Sequence, residues 1–335
     1  MMNRLLIMRF SAMGDVAMTV PVVFSLAQQY PQLQITMLTN KRLLPFFEWM
    51  PANVEAIGVD IKSYKGLKGL ERLFHDANVH DFDAVADIHD VIRTKYVRMR
   101  FRMKGKRVAV IDKGRKEKKA LLGHSADHAP LKPMTERYRE VFQKLGLDFQ
   151  FTFDCLHPSA ESMDFPVKGE KGKIIGVAPF AAHQGKVYPL DRMKRVVDLL
   201  ADDGYQVYLF GAGKDEKAVL ESWERDGVES VSGKLGGLKS ELILMSRLDI
   251  MLSMDSSNMH MAAMMGTKTL SIWGATHPKA GFKAWQQTDD SIIQRECNCR
   301  PCSIYGNKPC RMGNFMCMDI NPETIVRAIR NGRVD

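Results

Sequence analysis

Two short segments of this chain, about 240 residues apart, set small polar and acidic residues where an apolar run gives way to a helical pattern. In the first, Leu5-Leu6-Ile7-Met8-Arg9-Phe10 meets Ser11-Ala12-Met13-Gly14-Asp15. In the second, Asp249-Ile250-Met251-Leu252-Ser253-Met254 meets Asp255-Ser256-Ser257-Asn258, and His260 follows one turn later. A helix N-terminus carries free N–H groups and partial positive charge, so it suits an anionic ligand. A carboxylate such as Asp15, at the C-terminal end of a strand, stands where open α/β sheets bind ligands. Helix capping alone would also favour an Asp there. Around Asp255 two hydroxyls, those of Ser256 and Ser257, join the helix start, an arrangement that can hold a diphosphate. The bland alternative is again a cap, with His260 a partly buried neutral side chain.

Two weaker signals lie between them. Val177-Ala178-Pro179-Phe180 ends a strand and Lys186-Val187-Tyr188-Pro189 follows. A loop lysine can pair with phosphate as a point charge, although most such lysines are simply solvated. Phe210-Gly211-Ala212-Gly213-Lys214-Asp215-Glu216 looks like a nucleotide fingerprint but lacks its third glycine. It also fails the phosphate-loop pattern, since Tyr208 stands at the first glycine and Asp215 at the hydroxyl position. It reads as a tight turn from which Glu216 can reach a ribose.

Five cysteines sit close together: Cys297, Cys299, Cys302, Cys310 and Cys317. Four thiolates can hold a structural zinc. Only one C-x-x-C is present, Cys299 to Cys302, and the other spacings are irregular. Reduced structural thiols, zinc, and a disulfide or redox role all remain open on spacing alone.

The elements that must position these residues alternate. Candidate strands fall at 4–10, 34–39, 54–59, 83–88 and 106–111, then at 173–178, 205–210, 228–232, 249–254 and 268–273. Helical patterns fall near 18–30, 41–49, 66–77, 91–103 and 135–145, then 191–203, 214–226, 239–247, 256–265 and 322–331. Such alternation predicts parallel sheets covered on both faces. Residues 147–172 read as an edge strand at Phe149–Phe153 followed by a linker with Pro158, Pro166, Gly169 and Gly172. Residues 112–134 read as a long irregular connection, of the kind that is functional or mobile.

The chain has 335 residues, 45% hydrophobic and 26% charged, which favours two globular domains. No apolar run reaches the length of a membrane span. The N-terminus lacks a signal-peptide pattern, and a cytoplasmic protein is expected. The net charge of +9 is uneven: Arg93–Lys119 holds 13 Lys and Arg against Asp112 and Glu117, a local +11 that leaves −2 elsewhere. This window is either a solvated face or a surface for an anionic partner such as a phosphorylated glycolipid or a membrane. Few aromatics and no recognisable module argue against nucleic acid.

Taken together, these segments resemble glycosyltransferase family 9, the ADP-heptose:lipopolysaccharide heptosyltransferases. Ser11-Ala12-Met13-Gly14-Asp15-Val16 with Pro21 is similar to the family's S-x-M/I-G-D motif. Lys186-Val187-Tyr188-Pro189 is similar to its K-x-W/Y-P, Phe210-Gly211 with Glu216 to its G-x-x-x-E/D-E turn, and Asp255–His260 with Ala262-Ala263 to its D-[TS]-G-x-x-H-x-A-A. Asp87-Ile88-His89 through Arg93 matches the acceptor-side D-x-Q-G-x-x-K, with His89 for Gln and Arg93 for Lys. The order and spacing agree over about residues 3–330.

The resemblance implies an α/β GT-B fold of two Rossmann-like, doubly wound parallel-sheet domains facing a central cleft. Residues 1–160 would bind the acceptor and 161–335 the sugar nucleotide, with the final helix 322–331 free to pack back on the first domain. It implies inverting transfer of a heptose or related sugar from an ADP-sugar, with no cofactor or catalytic metal required. The acceptor would be a lipopolysaccharide inner core or other anionic lipid-linked saccharide of the lipid A–Kdo type. Asp15 and Lys186 are the catalytic residues, Asp15 as general base; Lys186 and the Ser256/Ser257 helix start take the diphosphate, Asp255 and His260 join the donor-binding set, Glu216 takes the ribose, and His89 and Arg93 the acceptor. No D-x-D stands at a strand end. The expected location is the cytoplasmic face of the inner membrane, peripherally bound. Ser257 replaces the family's glycine, and Ala181-Ala182 replace residues that are often hydroxylic, leaving backbone N–H groups or His183 for phosphate there. Two other readings share these features: a nucleotide-sugar hydrolase or epimerase of related fold, and a non-catalytic sugar-nucleotide binder.

Overall fold

The computed structural model describes residues 2–123, 128–158 and 173–333. The chain divides into two compact units, one of residues 1–113 and 134–156, the other of residues 114–133 and 157–335. Residues 114–133, given to the first half by the sequence reading, therefore lie in the second unit.

The first unit holds β1 (Arg4–Met8), α1 (Met13–Ala17), α2 (Val20–Gln29), β2 (Gln34–Asn40), β3 (Val54–Val59), α3 (Gly66–Ala77), β4 (Ala84–Asp87), α4 (Ile92–Met103) and β5 (Arg107–Val110). After α5 (Arg115–Leu121), which belongs to the second unit, the chain returns as α6 (Met134–Gln143). The strands form one sheet in the order β3-β2-β1-β4-β5. All pairs are parallel, with Leu5 beside Ile35 on one side and Ala84 on the other. Leu5, Leu6, Ile7 and Met8 are all fully buried. A central parallel strand is covered on both faces, which is why β1 reads as an unbroken apolar run.

The second unit continues with β6 (Ile174–Ala178), α7 (Leu190–Asp202), β7 (Gln206–Leu209), α8 (Lys214–Glu221), β8 (Val228–Ser230) and α9 (Leu238–Met245). It ends with β9 (Ile250–Met254), α10 (Ser257–Met264), β10 (Lys268–Trp273), β11 (Ile292–Gln294) and α11 (Pro322–Asn331). Its sheet order is β11-β10-β9-β6-β7-β8, again wholly parallel. Its core joins Val177, Leu252 and Ile272 of the sheet to Val196, Val197 and Leu200 of α7 and Ile325, Val326 and Ile329 of α11. Each such side chain contributes about 1.5–3 kcal/mol on burial. The last helix, α11, packs on α7 within the second unit.

Several local expectations are corrected. The pattern at 18–30 is α2, opened by Pro21, which has no N–H to donate and so fits a first turn; the short α1 before it, Met13–Ala17, was not read from the sequence. The stretch 41–49 is a 3-10 helix, Lys41–Phe47, with Pro45 inside it. Residues Phe149–Phe153 pair with no strand. Their backbone is held by side chains of α2: Gln150 N–H donates to Gln29 Oε1 at 3.1 Å, and Thr152 and Phe153 N–H donate to Ser25 Oγ at 3.0 and 3.1 Å. The irregular 112–134 contains α5, entered through Gly114 at φ +60°, where a side chain would be strained. The three-residue β11 is too short to leave a period in the sequence. Pro166, Gly169 and Gly172 of the expected linker lie outside the described residues.

Candidate active site

Each sheet reverses its winding at one point. In the first unit β1 and β4 are neighbours whose connections leave in opposite directions; in the second, β6 and β9 are. Crevices at such switch points, beyond the carboxyl ends of the strands, are where doubly wound sheets bind ligands. The motif residues emerge there: Asp15 after β1, His89 after β4, Lys186 after β6, and Asp255 to His260 after β9.

In the first unit Asp15 sits in α1, its side chain 27% exposed. Its Oδ2 accepts from Arg9 Nη2 at 2.9 Å and from the Ala12 N–H at 3.2 Å. Arg9 is nearly buried; it donates through Nη1 to the Ile88 carbonyl at 2.6 Å, and its guanidinium lies 5.4 Å from the Tyr138 ring centroid. One cation thus ties the end of β1 to the end of β4 and fixes the carboxylate beside the crevice. Sequence reasoning missed Arg9; the only signal was a charge ending an apolar run.

Beyond β4, Asp87 is fully buried. Its Oδ1 accepts the N–H groups of His89 and Asp90 at 3.0 and 2.8 Å, and its Oδ2 accepts from Arg98 at 2.6 Å. This carboxylate organises the turn and is not open to a ligand. Asp90 takes φ +49°, where the family motif has glycine. His89 packs edge-on to Phe10 and lies 3.4 Å from Ser11 Oγ. Burial first, then the nearby Arg9 and Lys113 cations, push its imidazole down to about 3. It is a neutral hydrogen-bonding group near Asp15 at physiological pH. Arg93 is half-buried in the first turn of α4, with its Nε enclosed and hydrogen-bonded to none of the described residues.

In the second unit Lys186 ends a short 3-10 turn, Gln184–Lys186, its side chain 17% exposed. Nζ stands 2.9 Å from Asp255 Oδ2, which also accepts from Thr276 Oγ1 at 2.7 Å. The loop is pressed against the end of β10: Ala275 N–H donates to the Gly185 carbonyl at 2.8 Å. A Cβ on Gly306 would lie 2.7 Å from Lys186 Cγ, so glycine is needed there to let the lysine stem pass. An ammonium has three donors. With one held by Asp255, two remain for oxygens of a ligand.

Ser256 is the N-cap of α10 and extended, but its side chain caps no N–H; its Oγ lies 3.1 Å from Ser253 Oγ. Ser257 and Asn258 are half-exposed, while Asp255, Met259 and His260 on either side are buried. The α10 entrance is an open N-terminus with no side-chain cap, as an anion site requires. Glu216 turns back on its own loop, Oε2 accepting the Ala212 N–H at 2.8 Å. A Cβ on Gly211 would meet Leu220 Cδ1 at 2.8 Å and Glu216 Oε2 at 3.3 Å, which explains the glycine.

A second residue not foreseen is Arg300, fully buried between two of the clustered cysteines. It donates to the carbonyls of Trp273, Gly274, Thr276 and Arg295 at 3.2, 2.6, 3.0 and 2.8 Å, and to Gln294 Oε1 at 3.0 Å. It thereby shapes the β10 end from which Thr276 reaches Asp255. Of the three readings left open for the five cysteines, the structure shows free thiols, and among the described residues no three His, Cys, Asp or Glu gather to hold a metal ion. Burial, the largest cause, pushes the Cys302 and Cys317 thiols up to about 11. Cys302 Sγ donates to the Cys299 carbonyl at 3.2 Å. At Cys310 burial acts upward, but N–H groups led by Phe315 outweigh it and lower the thiol.

Two doubly wound sheets, each with its polar motif at the switch point, define a protein of GT-B class. Residues 71–314, well over half of the chain, match the model of glycosyltransferase family 9 (heptosyltransferase), and the chain belongs to that family. It is a glycosyltransferase. Among curated relatives it is 25% identical over 303 residues to lipopolysaccharide heptosyltransferase 3 of Escherichia coli (strain K12), covering 84% of each chain. Among solved structures it is similar to the glycosyl transferase family 9 protein from Veillonella parvula, at a TM-score of 0.74 and 18% identity, covering 98% of this chain and 96% of that one. It is also similar to E. coli ADP-heptose lps heptosyltransferase II, at a TM-score of 0.68 and 19% identity, covering 98% of both.

Proposed function

We propose that the protein transfers a heptose, or a closely related sugar, from an ADP-sugar to an anionic lipid-linked saccharide of the lipopolysaccharide inner core, with inversion at the anomeric carbon. The observation that carries this reading is the Lys186–Asp255 pair beside the uncapped start of α10. These groups suit a leaving diphosphate, which gains negative charge as its bond to the sugar breaks. Preorganised N–H groups and a lysine stabilise such charge most where it develops. Asp255 holds Lys186 and does not itself meet the phosphates; a second buried anion would repel them.

Asp15, oriented by Arg9, takes the proton of the acceptor hydroxyl as that oxygen attacks the anomeric carbon. His89, neutral, and Arg93 line the acceptor side, and Arg93 offers its charge to an acidic saccharide. Glu216 accepts from the ribose, on the oxygen not engaged by Ala212. The names of the relatives support the sugar and the acceptor class, and the motif positions support the roles. The reaction takes place at the cytoplasmic face of the inner membrane, with the protein peripherally bound. Among the described residues no helix is long and apolar enough to cross a membrane.

The test is a donor screen. The protein is incubated with ADP-heptose, ADP-glucose and UDP-sugars, with and without a lipid A–Kdo acceptor, and free nucleotide is measured. Acceptor-dependent release from an ADP-sugar is expected, and it persists in EDTA because Lys186 and the α10 N–H groups meet the diphosphate charge. Release without any acceptor would assign a hydrolase instead, and tight binding without release a non-catalytic binder.

A further inference from the structure

Helix α4 is covered on one side and unusually equipped on the other. Thr94, Val97 and Phe101 are buried. Phe101 meets Phe74 of α3 edge-on at 5.1 Å, and Arg100 and Tyr96 bond Glu71 of α3. On the opposite side Ile92 is 78% exposed, Met99 46% and Met103 76%. At 3.6 residues per turn these three fall within about 40° of arc, a single apolar stripe along the whole helix. Lone exposed apolar residues are ordinary; three aligned on one face are not.

The charges around the stripe separate into two sets. Arg98 is spent on Asp87 and Asp90, Arg100 on Glu71, and Lys106 on Asp81. Lys95, Arg102 and Lys104 are exposed near the apolar residues; among the described residues Lys95 has an acid nearby, Asp90 at 3.8 Å, and Lys104 Nζ stands 5.1 Å from the Phe74 ring centroid. The helix itself carries no acidic residue. On the neighbouring α3, exposed Leu67 stands between exposed Lys65 and Lys68. The basic window of the sequence is thus divided. Its second part, 114–119, belongs to the other unit, where Lys118 is buried over the Phe282 ring at 4.4 Å.

We propose that the Ile92–Met99–Met103 stripe of α4, with the nearby Lys95, Arg102 and Lys104, is the face that lies on an anionic lipid bilayer. An apolar strip set among cations matches both layers of such a surface: the side chains enter the acyl boundary and the cations meet the headgroups. A nucleic acid would use the cations and leave the apolar strip in water. The inference rests on the membrane-side acceptor proposed above and names the surface that reaches it.

The test is vesicle flotation of the full chain, with vesicles of mixed phosphatidylethanolamine and phosphatidylglycerol and vesicles of phosphatidylcholine alone. The wild type is expected to float with the anionic vesicles, less so as salt rises. The variant Ile92→Ser/Met99→Ser/Met103→Ser is expected to lose binding about tenfold or more at every salt concentration. Lys95→Gln/Arg102→Gln/Lys104→Gln is expected to lose binding by a similar factor and with it the salt dependence. All six positions are exposed, so both variants should melt like the wild type, and their nucleotide release with a water-soluble, delipidated acceptor should be unchanged. Undiminished flotation of the Ser variant overturns the proposal. So does concentration-dependent self-association of the wild type that the Ser variant abolishes, or tighter binding to an oligonucleotide duplex than to anionic vesicles. Loss of flotation with no transfer from any donor by the wild type would sink the proposed reaction and leave the surface standing; transfer with unchanged flotation does the reverse.

Discussion

Lys186 Nζ and Asp255 Oδ2, from loops at the ends of the adjacent strands β6 and β9, stand 2.9 Å apart. The pair bridges the switch point of the second sheet, and Thr276 fixes the carboxylate from β10 at 2.7 Å. A buried carboxylate would oppose a diphosphate on its own. Matched to Lys186 it becomes the post that aims the cation.

From this pairing, Lys186→Ala should lower kcat/KM by about 2–4 kcal/mol, as removal of one preorganised donor does. Asp255→Asn should cost less and act mainly on donor affinity. Because the two act together, the double variant should fall short of the summed losses by about 0.5–3 kcal/mol in a double-mutant cycle. Additive losses would separate Asp255 from Lys186.

Asp15→Asn should reduce transfer by about 10²–10⁴-fold while calorimetric binding of the ADP-sugar stays intact. Arg9→Met should reduce kcat in the same direction, since it removes the 2.9 Å contact that orients the carboxylate. Wild-type turnover in a folded Asp15→Asn protein rules Asp15 out as the base.

Asp87→Ala should destabilise the first unit by about 3–5 kcal/mol in urea denaturation, the usual result of stripping one partner from a buried ion pair. It removes one of the two carboxylates that Arg98 meets, and the acceptor of two backbone N–H groups. A change under about 1 kcal/mol would show that the turn after β4 holds without it.

The imidazole of His89, pushed from its ordinary 6.5 down to about 3 chiefly by burial, gives a pH dependence of known sign. Between these values the unfolded chain binds a proton that the folded chain refuses. Stability should therefore fall as pH drops from 6.5 toward 3 and level off below. His277, pushed down to about 4 mainly by burial, adds to the slope over the upper part. His89→Gln should flatten the urea-derived stability profile by up to about 1.4 kcal/mol per pH unit. An unaltered slope would mean that His89 takes up protons equally in both states.

The alternation of elements, the two parallel sheets and the positions of Asp15, Lys186, Glu216 and Asp255 at strand ends were legible in the sequence. Burial on both faces writes a continuous apolar run, and a helix start after it needs small polar residues; both signals are local. The residues that fix the site were not legible. Arg9 meets Asp15, Thr276 meets Asp255, and Arg300 gathers carbonyls from β10 only because the sheets place distant segments side by side. The strand orders, the passage of 114–133 into the second unit and the dispersal of the basic window likewise depend on pairing between remote parts of the chain. Hydrophobic period reports which face of an element is buried; only the tertiary structure decides what it is buried against.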